Sequence, residues 1–165
     1  IQVDRVQIKK RQNVLMMSVW YRNRAIPLAW ICLPHSGSSQ LSHWRDLLDY
    51  LEEILPDDAA VILLADREFG SVDRLHYVQR KHWQYAIRLK GSVFFYDPAW
   101  KHPFDWYTLN QIAPLPGKSY AIPDLCLTKG DLYLTHIACA WAVGSVDPWF
   151  VATNLPNPIL YKTSL

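Results

Sequence analysis

A chain of 165 residues, half of them apolar and 19% charged, has the length and the apolar side chains for one domain with a real core. That excludes a disordered or low-complexity protein. The longest uncharged apolar runs, such as residues 14–20, fall far short of a bilayer span, so no membrane partner is expected, and residues 1–5 carry none of the marks of a secretory signal, which points to the cytoplasm. The net charge of +2 neither requires nor excludes a nucleic-acid partner. Cys32, Cys126 and Cys139 form no C-x-x-C pair and leave an odd thiol over, so buried reduced cysteines are expected, without zinc or a disulfide framework.

The first third reads as strands. Residues 1–8 alternate around Val3, Val6 and Ile8, with Asp4 on the polar phase. An apolar run over 13–21 meets a second over 25–33 through the short polar turn Tyr21-Arg22-Asn23-Arg24, which argues for antiparallel neighbours. Pro27 cannot donate to a ladder, so it belongs near a bend or on an edge. Residues 34–39 read as a loop in which Ser38 or Ser39 caps a helix. That helix follows from Leu41, Trp44, Leu47, Leu48, Leu51, Ile54 and Leu55 at helical spacing, stopped by Pro56. Residues 59–65 form a continuous apolar strand of the kind buried on both faces. Ser71 opens a short helix to about residue 81, and Tyr85, Ile87 and Leu89 mark another strand. Helices alternating with strands make residues 1–91 an α/β sheet. Residues 92–147, dense in proline and aromatic residues, read as a β-rich insertion or lobe. Lys129-Gly130-Asp131 turns there into a strand over 132–142, and Asp147-Pro148 turns into the strand at 149–153.

Asp66 stands directly after an apolar strand, at the carboxyl end where open α/β sheets build their sites. Asp4, on the polar phase of the opening strand, reaches the same edge if the two strands are neighbours. Two convergent carboxylates on rigid strands are hard oxygen ligands that suit Mg²⁺ or Mn²⁺ and support two-metal phosphodiester chemistry. The plainer alternatives are a turn-forming or capping Asp66 and a surface pair between Asp4 and Arg5.

The wording of the segments favours the chemistry. Leu63-Leu64-Ala65-Asp66-Arg67-Glu68-Phe69-Gly70-Ser71 resembles the second-aspartate signature of insertion-sequence DDE transposases, the branch marked by a D-R-E tripeptide. Val3-Asp4-Arg5 resembles that family's first-aspartate strand, and Arg24-Ala25-Ile26-Pro27-Leu28 its g-r-A-i-P-l strand. Tyr85-Ala86-Ile87-Arg88-Leu89-Lys90 is similar to its F-v-I-R-l-K strand. Residues 149–156, WFVATNLP, are similar to the W-f-l-a-T-n segment before its last catalytic region. The matches keep the family's order and run almost the length of the chain.

The resemblance implies a ribonuclease-H-like mixed sheet with flanking helices and a β-rich insertion. It makes Asp4 and Asp66 the first two metal-binding catalytic carboxylates. It implies Mg²⁺-dependent cleavage at transposon ends, then strand transfer by the freed 3′-hydroxyl. Its partners are double-stranded DNA, both terminal repeats and target, and a second copy in a homodimer. Two departures stand out. Val6 replaces the threonine frequent two places after the first Asp. The third carboxylate, expected in a Y-x₂-R-x₃-E-x₆-K helix, finds no counterpart: no Glu follows Glu68, and Asp124, Asp131 and Asp147 read as loop or turn residues. Residues 148–165 then lead towards a region the sequence does not include. The expectation is a partial catalytic domain, either cut from a working transposase or left from a decayed one that only binds DNA.

Arg67 can meet a phosphate and Glu68 can orient a neighbour, or the two pair with each other or with solvent. Arg88 and Lys90 alternate onto one strand face and can track a DNA backbone, or form a solvated face. Trp149 can stack on an unpaired base, or pack in the core. A rival function from another class is an all-β, aromatic-rich module for sugars or peptides. The helix at 39–55 and the Asp66-Arg67-Glu68 strand end argue against it.

Overall fold

The computed structural model describes residues 1–8, 12–33, 39–99 and 105–156. Most of the 34–39 loop, Ser38 included, and the expected lead towards the Y-x₂-R-x₃-E-x₆-K helix at 160–165 lie outside the described residues. Strands β1 (Gln2–Ile8), β2 (Gln12–Tyr21) and β3 (Arg24–Leu33) form an antiparallel meander. The β2–β3 turn places Arg22 and Asn23 at φ 47 and 61, the left-handed pair that a type I′ hairpin needs. Pro27 sits on β3, at the sheet edge, beside a register shift between Met17 and Ser18. Expectation and structure differ in β1: Val3 is buried, whereas Val6 and Ile8 share the exposed face of Asp4. The reason is parity, since Val3 lies one residue from Asp4 while Val6 and Ile8 lie two and four away.

Helix α1 (Leu41–Ile54) buries Trp44, Leu47, Leu48 and Leu51 along one stripe. Its N-cap is Gln40, not Ser38 or Ser39; Ser39 is buried just before the helix. Strand β4 (Ile62–Ala65) is parallel to both β1 and β5 (Gln84–Leu89), and α2 (Val72–Arg80) connects it to β5. The expected two-faced burial of β4 does not hold, because Leu63 is fully buried while Leu64 is 46% exposed. The buried residues of α1 and α2 join one core with Val3, Leu15, Met17, Leu63, Ile87 and Leu89. Both helices therefore cover one face of the sheet. Across the other face, β-pairing brings Trp30, Met16 and Asp4 level with one another.

Beyond β5 come β6 (Phe94–Tyr96), β7 (Tyr107–Thr108), a 3-10 turn at Leu109–Ile112, β8 (Ser119–Leu127), β9 (Tyr133–Ala140) and β10 (Trp149–Thr153). These β-rich strands continue the sheet itself. All belong to a single ten-stranded mixed sheet in the order β3-β2-β1-β4-β5-β10-β9-β8-β6-β7. The physical reason lies in β10, which pairs antiparallel with β5 on one side and β9 on the other. Two helices and a parallel β1–β4–β5 centre also exclude the all-β module. No described helix is long and apolar enough to cross a membrane. Of the thiols, Cys126 and Cys139 are buried as expected, but Cys32 is exposed, because it lies on the face that no helix covers.

A polar seam fastens the join. The buried Tyr85 hydroxyl lies 2.9 Å from that of Tyr133 and 2.8 Å from Thr135 Oγ1. Thr153 Oγ1 donates to the Tyr85 carbonyl at 2.7 Å. Asn154 accepts from the Tyr85 N–H at 2.9 Å and donates to the Trp83 carbonyl at 3.1 Å. Burial raises both tyrosines above the ordinary phenol range and pushes the Cys139 thiol up to about 12. These groups stay protonated when folded but ionise near their ordinary values when unfolded, so alkali favours unfolding. The thermal midpoint is expected to fall as pH rises from 9.0 to about 12. Cys139→Ala should make that slope shallower, and an unchanged slope would show that the buried thiol does not drive it.

Candidate metal and phosphate site

The last registered pair between β1 and β4 is Val3 with Ala65. One residue further stand Asp4, still within β1, and Asp66, the first residue beyond β4, both exposed. Parallel neighbours place residues at one level on the same face, so extending the register by one step sets Asp4 and Asp66 level with each other at the carboxyl end of β4. Asp4 Oδ1 accepts the Arg5 N–H at 2.7 Å. The pair fits a hard divalent cation: Mg²⁺ is commonly held by one or two carboxylates with water and phosphate completing its shell. Among the described residues, no group of three Asp, Glu, His or Cys side chains converges. Asp124 lies 3.6 Å from His136 and Asp131 lies 3.3 Å from His76, in β8 and in the turn before β9.

Asp66, Arg67 and Glu68 belong to a loop held by its own apolar residue. Phe69 is 1% exposed and stacks on Trp44 of α1 with ring centroids 5.3 Å apart. The guanidinium of Arg74 lies over both rings, 5.9 Å from Trp44 and 5.8 Å from Phe69, and donates to the Ser39 carbonyl at 2.8 Å. Burial pulls Arg74 below the ordinary guanidinium range, and the charges of Glu68 and Asp73 oppose that shift. Gly70 lets the loop approach β5. A Cβ there would stand 2.6 Å from the Arg88 carbonyl oxygen and 2.8 Å from Leu89 Cδ2. Gly70→Ala is therefore expected to destabilise the fold by about 1–3 kcal/mol, readable in a urea melt. An unaltered midpoint would mean that the loop has room to move.

Glu68 pairs with Arg5 of β1 at 2.9 Å, and not with Arg67. This ion pair ties the strand of Asp4 to the loop of Asp66. A cavity of about 400 Å³ opens here, lined by Arg5, Asp66, Arg67, Glu68, Arg74 and Lys90. Four cations against two carboxylates give its wall a surplus of positive charge suited to a phosphate. Arg88 lies on the face of β5 opposite the buried Tyr85, Ile87 and Leu89, whereas Lys90 is the first residue beyond the strand and lines the cavity. Trp149 opens β10 and is 44% exposed, so it is not a core residue. The Arg88 guanidinium carbon lies 4.4 Å from the Trp149 ring centroid. The cavity gathers Asp66, Arg67, Glu68 and Lys90, while Arg88 links Asp66 to Trp149 and Asp4 stands one step beyond the last β1–β4 pair. Sequence reasoning missed Arg5 and Arg74. Their roles arise from contacts across strands and between helices, for which neither residue carries a local signal.

No protein-family model, curated protein or solved structure matches this chain.

Proposed function

We propose that this chain is part of the catalytic domain of an insertion-sequence DDE transposase with a ribonuclease-H-like fold. The observation that carries the reading is the register. Asp4 and Asp66, the two aspartates named by the motif resemblance, stand one step beyond paired residues on adjacent parallel strands. The order of β1 to β5 and the cationic cavity beside Asp66 support it further.

In this reading Asp4 and Asp66 hold Mg²⁺ or Mn²⁺. Divalent ions held by these carboxylates would supply activation of the attacking oxygen and stabilisation of the leaving one in phosphodiester cleavage. The chain's own residues supply position and charge. Glu68 acts as a positioning residue, since its bond to Arg5 fixes the strand that carries Asp4. Arg67 and Lys90 at the cavity rim receive the phosphates of double-stranded DNA, whose many charges make such contacts additive and salt-sensitive. Trp149 offers an exposed face for an unpaired base. A homodimer that joins two transposon ends, and action in the cytoplasm on the nucleoid, belong to the same proposal.

A second reading, a DNA-binding remnant without catalysis, uses only the surplus of cations on the cavity wall, which holds a phosphate with or without a metal. One assay separates the two. In the protein that carries this domain, Mg²⁺-dependent nicking of DNA bearing its terminal repeats is expected, and Asp66→Ala should abolish it. Nicking that survives Asp66→Ala would remove Asp66 from the metal site. Salt-sensitive DNA binding without nicking in the unmodified protein would favour the remnant.

A further inference from the structure

Arg88 stands between two partners of opposite character. Ala65 pairs with Ile87, so extending the register by one residue brings Asp66 level with Arg88. On the other side Arg88 pairs with Val151, and Trp149 lies two residues along β10 on the same face. The side chain uses both neighbours. One guanidinium nitrogen lies 3.5 Å from Asp66 Oδ1, and the guanidinium carbon sits 4.4 Å from the Trp149 ring centroid. Arg88 is 21% exposed in its side chain, whereas Asp66 is 58% exposed.

We infer that Arg88, seated on Trp149, is the resident counter-ion of Asp66 and competes with a divalent cation for that carboxylate. The inference rests on the proposed reading of Asp4 and Asp66 as metal ligands. The contact is long for a charged hydrogen bond, and the acceptor is well solvated, so the pair is weak and yields to a divalent ion. A cation on Asp66 and a guanidinium at the same oxygen repel each other, which lowers the metal affinity of the DNA-free protein. The indole face holds Arg88 after Asp66 is surrendered, since a cation over Trp is attracted to the ring independently of the carboxylate. The N–H groups released from Asp66 are then satisfied by a phosphate oxygen. A phosphate that engages Arg88 removes the competitor from Asp66. DNA and metal therefore bind with positive coupling, each favouring the other.

The test is a Mn²⁺ titration of the full chain, followed by electron paramagnetic resonance of the free ion. Arg88→Gln is expected to tighten Mn²⁺ binding about fivefold. Arg88→Lys, which keeps the charge, should stay near the unmodified affinity. Arg67→Gln, which removes a neighbouring charge from the cavity wall that holds Asp66, should change it much less than Arg88→Gln. The gain from Arg88→Gln should vanish in an Asp66→Asn background. Unchanged affinity in Arg88→Gln overturns the inference, and so does equal tightening in Arg67→Gln, which would reveal only a general field. Tightening in Arg88→Lys equal to that in Arg88→Gln would overturn it as well, since the charge would not be the cause. Failure of the underlying reading looks different: Asp66→Asn alone would leave Mn²⁺ affinity at the unmodified value.

Discussion

Asp4→Asn and Asp66→Asn are each expected to weaken Mn²⁺ binding more than roughly tenfold, with the double variant losing little beyond the worse single one. Each substitution keeps the shape of the side chain and removes the charge that a hard cation requires. Losses that fail to add are expected when two groups serve one ion, because the second ligand holds little after the first is gone. Both carboxylates are exposed, so neither variant should unfold the protein. Isothermal titration and a melting curve measured together separate the two effects. Independent, additive losses would mean that the carboxylates bind separate ions. No loss in either variant would remove the metal from the proposal.

Phe69→Ala is expected to cost about 3–5 kcal/mol, which for a chain of this length lowers the thermal midpoint by roughly 10 °C. The ring is almost wholly buried, it stacks on Trp44, and the Arg74 guanidinium lies over both. Its loss opens a cavity beneath the loop that carries Asp66 and Glu68, and it strips one side of the platform under Arg74. Metal binding should weaken with stability, unlike in Arg88→Gln. A midpoint that falls by only a degree or two would show that the loop does not depend on Phe69.

Local periodicity made some of these features legible and pairing hid others. The stripe Trp44-Leu47-Leu48-Leu51 announces α1 because four residues at helical spacing bury together. The β2–β3 hairpin is written in Arg22-Asn23, where a short polar turn leaves few geometries. Arg88 falls opposite the buried Tyr85, Ile87 and Leu89 because a strand alternates strictly, whereas Lys90 lies just past the end of β5. The β1 face is not legible from apolar residues alone, because Val3 differs in parity from Val6 and Ile8 and only Val3 is buried. The continuity of β6 to β9 with the main sheet has no local signature at all. It depends on β10 pairing with β5 some sixty residues earlier in the chain. The site divides in the same way. Asp66 after an apolar strand is a local signal, but its adjacency to Asp4 requires β1 and β4 to be parallel neighbours. The Arg5–Glu68 pair spans the same two elements and leaves no periodic trace. Arg74 looks like any helical arginine until α1 brings Trp44 beneath it.

The most direct measurement is the paramagnetic broadening of backbone amide signals by substoichiometric Mn²⁺ in the ¹⁵N-labelled chain. Broadening centred on residues 3–5 and 65–68, with the turn at 128–131 left sharp, is the expected result. It would place one ion between the ends of β1 and β4. Broadening centred on Asp131 and His76, or signals near Asp4 and Asp66 that stay sharp as Mn²⁺ saturates, would contradict it.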